Sequence, residues 1–155
     1  MGAPRDGRVE VLSTDCCIAG GGPAGMMLGL LLARRGVRVV VLEKHADFLR
    51  DFRGDTIHPS TLDVMADLGL LDDLLKIPHT RVDRLTMQWE DRSIRIADFT
   101  RLSTRCRYIA LMPQWDLLDF LAKSAASSPG FELRMRTEAR ELIGERDASG
   151  PWVRI

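Results

Sequence analysis

The chain has 155 residues, 45% hydrophobic and 28% charged, which is enough apolar matter for a core and, at roughly 100–200 residues per domain, one domain rather than two. Its 22 basic and 22 acidic residues cancel, so no global charge steers it to nucleic acid or to an anionic membrane surface. Aromatic residues make up only 6%, too few for the interleaved basic and aromatic face that nucleic-acid binding asks for, and no nucleic-acid partner is expected.

Residues 1–13 read as a polar lead-in, with 14–155 as the folded domain. Thr14 to Ile18 is a short apolar strand that runs straight into Gly20, Gly21 and Gly22. A helix fits Pro23 to Arg35, with Met26, Met27, Leu30, Leu31 and Ala33 as its apolar face and Gly36 as its stop. Arg38 to Leu42 is a β-branched run, as a strand covered on both faces reads. Strand, helix and strand within about 30 residues make a right-handed βαβ unit with parallel strands.

Beyond Glu43 the chain is polar and loop-like to Asp55. A helix begins near Pro59, burying Leu62, Met65, Ala66 and Leu68 before Gly69, and a second spans Leu70 to Ile77. Arg81 to Asp98 alternates through Val82, Leu85, Met87 and Trp89, turns at Glu90–Arg92, and continues through Ile94 and Ile96, the pattern of a β-hairpin. Arg107 to Met112 reads as a strand, and Gln114 to Ser127 as a helix burying Leu117, Leu118, Leu121 and Ala125. Phe131 to Met135 suits a third parallel strand, and Thr137 to Glu145 with Trp152 to Ile155 the two arms of a hairpin around Ala148–Pro151. The architecture expected is α/β: a three-layer, Rossmann-like βαβ core with an inserted β-hairpin.

Gly20-x-Gly22-x-x-Gly25 follows a strand and opens a helix, which is the context that the dinucleotide fingerprint requires. The first glycine permits the tight turn, the second lets the backbone approach a pyrophosphate, and the third lets helix and strand pack closely. The helix start offers N–H groups and the positive end of its dipole to the phosphates. Eighteen residues after Gly25, the second strand ends in Glu43, placed to accept hydrogen bonds from a ribose and to repel a 2′-phosphate, an argument that Lys44 softens.

The segment CCIAGGGPAGMMLGLLLARRGVRVVVLEKH resembles the N-terminal FAD-binding segment of the flavin-dependent aromatic hydroxylases, the single-component monooxygenases related to p-hydroxybenzoate hydroxylase. Its Gly22-Pro23-Ala24-Gly25 turn, Gly29 and Gly36 lie where that family places them. FRGDTIHPSTLDVMADLGLLDDL resembles the family's arginine segment, which implies Arg53 beside the flavin and its phosphates. MPQWDLLDFL resembles the motif in which a Gln opens a helix and contacts the cofactor, which implies that role for Gln114, against plain helix capping. The resemblance thus implies a cofactor site of Gly20, Gly22, Pro23, Ala24, Gly25, Glu43, Lys44, Arg53 and Gln114, with FAD as the bound cofactor.

The family's reaction uses NAD(P)H as a transient reductant of the flavin and sends one oxygen atom to a small, often phenolic substrate. No catalytic acid or base among these residues is implied. The family's later Asp-Gly and Gly-Asp cofactor motifs and its substrate domain have no counterpart here, since Asp-Gly occurs only as Asp6-Gly7 and Gly-Asp only as Gly54-Asp55. The expectation is therefore a truncated portion of the family's FAD-binding domain that by itself binds FAD weakly at best and turns over nothing. A flavin-dependent reductase or dehydrogenase of the same fold and a non-catalytic nucleotide-binding remnant remain alternatives; the arginine and glutamine segments weigh against an NAD-dependent dehydrogenase.

Other features carry blander readings. Cys16, Cys17 and Cys106 offer neither a disulfide framework nor a C-x-x-C pair, and His45, His58 and His79 stand far apart, so no metal site is expected and a reducing, cytoplasmic setting fits. The first fifteen residues contain no apolar signal core, and the longest apolar stretch, Ala24 to Ala33, is about half of the ~20 residues a membrane helix needs. Arg101, Arg105 and Arg107 read as a solvated loop, Asp72–Asp73 as a solvated helix face, Ser60 as a first-turn helix residue, Tyr108 as a packed strand residue, and Cys16 and Cys17 as inert core.

Overall fold

A computed structural model describes residues 11–49, 56–143 and 152–155. Cys16–Ala19 (β1), Pro23–Ala33 (α1) and Val39–Leu42 (β2) form the expected unit, with β1 parallel to β2 from Cys16 opposite Val39 to Ala19 opposite Leu42. Thr56–Ile57 (β3), Pro59–Asp67 (α2), Leu71–Leu74 (α3) and Thr80–Val82 (β4) follow. Arg84–Trp89 (β5) and Arg92–Asp98 (β6) make an antiparallel hairpin turning at Glu90, and Ile109–Leu111 (β7), Gln114–Ala126 (α4) and Phe131–Arg134 (β8) come next. Glu141–Ile143 (β9) pairs antiparallel with Trp152–Arg154 (β10), while the bend between them lies outside the described residues.

β8 is the third parallel strand, on the far side of β2, so the main sheet runs β1-β2-β8. That order explains the buried Val39, Val40, Val41 and Leu42: β2 has a hydrogen-bonded neighbour on each edge and cover on each face. Each of these side chains contributes about 1.5–3 kcal/mol by leaving water. On β1, by contrast, only Cys16 and Ile18 are partly covered; Cys17 and Ala19 are exposed, which corrects the reading of Cys17 as a core residue. An edge strand here has one packed face and one open one.

α1 and α4 pack against each other on the sheet. The buried face of α1 is Met26, Gly29, Leu30 and Ala33, a spacing of three, four and seven residues. Leu31 was expected there but is exposed, because it sits about 100° round the helix from Leu30. Gly29 takes the sheet-facing place instead: a Cβ on it would meet Phe131 Cε2 and Val41 Cγ2, each at 2.9 Å.

The rest of the core lies around α2, α3 and α4, where Leu62, Met65, Leu74, Leu118 and Leu121 are buried in one cluster with Ile57 and Ala110 of the small antiparallel sheet β3-β7-β4. α3 is shorter than its apolar pattern suggests. Its end tightens through Lys76 N–H to Asp73 and Ile77 N–H to Leu74 carbonyls, three-residue steps that bring the chain to Pro78.

The inserted hairpin is present but its composition differs from the alternation. Val82 belongs to β4 and pairs with Ile109 of β7 rather than joining the hairpin. Leu85, Met87, Trp89, Ile94 and Ile96 are all exposed. No helix of the described residues is long and apolar enough to cross a membrane.

Candidate dinucleotide-binding site

The turn between β1 and α1 is built by its glycines. Gly20 extends the parallel ladder by donating its N–H to Leu42 O at 2.8 Å, and it does so at φ +108°, a backbone state that side-chain-bearing residues rarely adopt. Gly25 sits over the same peptide, and a Cβ on it would overlap the Gly20 carbonyl oxygen and lie 3.3 Å from Ile18 Cγ2. Helix and strand can approach this closely only without that atom.

Gly22 is the N-cap of α1, with extended backbone and no side chain to cap the helix; the first intrahelical bond runs from Met26 N–H to Gly22 O at 2.9 Å. Pro23 takes the first helical position, where no N–H is needed, and Ala24 is exposed beside it. No acidic residue lies in the first turn, so the turn itself offers no carboxylate to the helix N–H groups and the positive end of the dipole. A Cβ on Gly22 would meet nothing within 4 Å, so its small size answers to no packing requirement in the fold.

Glu43 ends β2 beside this turn and is only 3% exposed. Its Oε2 accepts the Gly21 N–H at 2.8 Å, while Oε1 accepts the His45 N–H at 2.9 Å and lies 2.6 Å from His45 Nδ1. With the carboxylate ionised, it can only accept, and the hydrogen of that contact is then on His45 Nδ1. A buried charge of this kind needs such partners to offset its lost hydration. The glycine turn and the acid, joined in sequence only by spacing, are thus in direct contact.

Lys44 is exposed and lines a cavity of about 500 Å³ together with His45, Arg136, Thr137 and Glu138, just beyond the carboxyl ends of β2 and β8. Open α/β sheets bind ligands at that edge. The wall is clasped to β2 by main-chain bonds, from Arg136 N–H to His45 O and from Thr137 N–H to Glu43 O, both 2.8 Å, with Arg136 at φ +55°. His45, Arg136 and Thr137 escaped the sequence reading. No motif marks them; the pairing of β2 with β8 brings them in.

Gln114 occupies the first position of α4, after Pro113 as N-cap, and is half-buried. Among the described residues its side chain forms no hydrogen bond, so a helix-capping role finds no support there. The crossover topology sets the start of α4 at the carboxyl edge of the sheet, the edge that carries the glycine turn and Glu43. Arg53 lies outside the described residues.

Arg105 is tied to α2 through its N–H to Asp63 at 3.0 Å and its guanidinium to Asp67 at 2.9 Å, and Asp73 pairs with Lys76 on an exposed face. Ser60 lies in the first turn of α2, capped by His58. Tyr108 precedes β7 with the Arg81 guanidinium 4.8 Å from its ring centre; burial, first, and Cys106, second, raise its phenol above the ordinary value. Partial desolvation, then the adjacent Cys16, likewise raise the Cys17 thiol, which keeps it from acting as a thiolate. Among the described residues no group of three His, Cys, Asp or Glu is arranged to hold a metal ion.

The family model described as FAD binding domain matches residues 13–154. The chain belongs to this FAD-binding domain family. Within it, the chain is 30% identical over 142 residues to 6-methylpretetramide 4-monooxygenase of Streptomyces rimosus, a match covering 92% of the chain and 33% of that protein. It is 34% identical over 145 residues to rifampicin monooxygenase of Streptomyces venezuelae, covering 90% and 28%. The solved p-nitrophenol 4-monooxygenase of Pseudomonas putida superposes with a TM-score of 0.74 at 25% identity, covering 89% of the chain and 38% of its own. These three relatives are monooxygenases, and the chain spans about a third of their length.

Proposed function

We propose that the chain provides the ADP-binding half of the FAD site of an NAD(P)H-dependent flavoprotein monooxygenase acting on an aromatic or similar small organic substrate, with 14–155 as part of the FAD-binding domain. The observation that carries this reading is the cradle itself: a helix start without a side-chain cap or an acidic first turn, packed so tightly on β1 that Gly25 admits no Cβ, with a buried carboxylate hydrogen-bonded to its rim.

The residues fit the cofactor's ADP half. The main chain of Gly20, Gly22, Pro23, Ala24 and Gly25 would surround the pyrophosphate, which the helix dipole favours and the open space over Gly22 admits. Glu43 would accept hydrogen bonds from the ribose, and Lys44 would stand at its outer side. Gln114, and Arg53 beyond the described residues, would approach the remainder. Bound FAD supplies the redox chemistry, taking a hydride equivalent from the nicotinamide and activating oxygen. This chain's own part is to bind and orient; none of its described side chains is assigned a proton-transfer step.

Competition binding tests the reading. FAD and ADP should displace one another from the purified chain, and FMN, which lacks the adenylate half, should displace neither. Tight FMN binding with no affinity for ADP would place the flavin contacts elsewhere and overturn it.

A further inference from the structure

Glu43 is buried at the mouth of the glycine turn, yet its usefulness to a sugar depends on which way its carboxylate faces. Donors on both of its oxygens fix that plane in the structure, and His45 supplies two of them. His45 gives its main-chain N–H to Oε1 at 2.9 Å and holds its ring Nδ1 2.6 Å from the same oxygen, while Gly21 N–H holds Oε2 at 2.8 Å. His45 is itself anchored from the other side, since its carbonyl accepts the Arg136 N–H at 2.8 Å. The imidazole is 46% exposed and forms part of the cavity wall beyond the strand ends, so its ring reaches from solvent to the buried acid.

We propose that His45 is a positioning residue for nucleotide recognition: its ring holds the Glu43 carboxylate in the orientation that reads the ribose hydroxyls. The proposal rests on the nucleotide-binding reading above and adds the source of its sugar selectivity. Without the ring, the carboxylate keeps the Gly21 N–H on one oxygen and the His45 main-chain N–H on the other. It still rotates about its last side-chain bond more freely than with the ring hydrogen bond in place. The loss therefore falls on the interaction with the sugar, not on the phosphate cradle, whose groups are main-chain N–H donors of another segment.

The test compares ADP with 2′-deoxy-ADP by titration calorimetry of the full chain. Wild type should favour ADP. In His45→Ala, ADP binding should weaken about three- to tenfold, the scale of one ordinary net hydrogen bond, while 2′-deoxy-ADP binding holds and the ratio moves towards one. His45→Asn, which keeps a donor at the δ position, should restore most of the preference. The exposure of the imidazole lets both variants fold, and circular dichroism checks that they do. An unchanged ratio in His45→Ala, or equal weakening of both ligands, would overturn the positioning role while leaving nucleotide binding intact. Wild type that binds neither ligand would overturn the nucleotide-binding reading and this proposal with it.

Discussion

Gly21 and Glu43, separated by 22 positions, meet in a 2.8 Å hydrogen bond between the Gly21 N–H and Glu43 Oε2. The two are also packed together, since a Cβ on Gly21 would stand 3.0 Å from the Cβ of Glu43. The bond ties the end of β2 to the turn after β1, so it is both part of the fold and part of the candidate site. Glu43→Ala would leave the Gly21 N–H without its buried acceptor at a cost of about 1–3 kcal/mol, read as a lower urea midpoint with unchanged slope. The same variant should weaken ADP binding. An unchanged midpoint would mean that the turn holds its shape without the acid.

Gly25→Ala tests the close approach directly. Its added methyl group overlaps the Gly20 carbonyl oxygen, main chain that cannot swing aside, so the variant should lose about 2–3 kcal/mol. Gly29→Ala should cost less, because the atoms it meets, Phe131 Cε2 and Val41 Cγ2, are side-chain ends that can shift. Thermal melts of the two variants give the order. If Gly29→Ala proves the more damaging, the tight contact lies at the middle of the helix rather than at its start.

The β5–β6 hairpin carries Leu85, Met87, Trp89, Ile94 and Ile96 in the open, and Met87 pairs with Ile94 across it. Apolar surface of that kind promotes association. The double variant Trp89→Ser, Ile96→Ser should delay aggregation on heating. Both side chains are 61% exposed, so stability should change by no more than about 1 kcal/mol. Light scattering during a melt reads the first effect and chemical denaturation the second. A large loss of stability would show that these side chains are covered.

Acid dependence has a defined sign at the start of β1. The Arg38 guanidinium, first, and its main-chain N–H, second, hold the Asp15 carboxyl below its ordinary 3.8. Because the folded value is depressed, the contribution is complete above the unfolded value and is lost as pH falls through the folded one. Both side chains are exposed, so the effect is small. Asp15→Asn should flatten the acid limb of a stability profile below about pH 4 and leave the neutral region nearly unchanged. A parallel profile for the variant would remove Asp15 from the acid response.

The legible parts of the chain were those governed by local rules. β2 declared itself through four consecutive apolar, mostly β-branched residues, and the glycine spacing located the turn, because steric limits on φ and on Cβ are properties of single positions. Phe131 to Met135 read as a third parallel strand from its alternation after a helix, while its place beside β2 came only from the structure. What escaped depends on tertiary neighbours. The alternation of Leu85, Met87 and Trp89 signals a covered face, yet periodicity does not say what covers it, and these side chains are open. Leu31 and Cys17 were misplaced for the same reason: hydrophobicity does not reveal which edge of a helix or sheet has a partner. His45 came to the candidate site only through the geometry of Glu43, which no spacing rule contains.

The most direct test of the central claim is a titration of FAD into the 155-residue chain, followed by flavin fluorescence, for wild type and for Gly22→Asp. Aspartate is a favourable N-cap and Gly22 has open space around it, so the variant should fold at least as well as wild type. Its carboxylate, however, would occupy the helix start and repel the pyrophosphate. Saturable binding by wild type that is lost in a folded Gly22→Asp would establish the glycine turn as the cofactor cradle. Equal binding by both would contradict the account, because the FAD would then be held somewhere other than the start of α1.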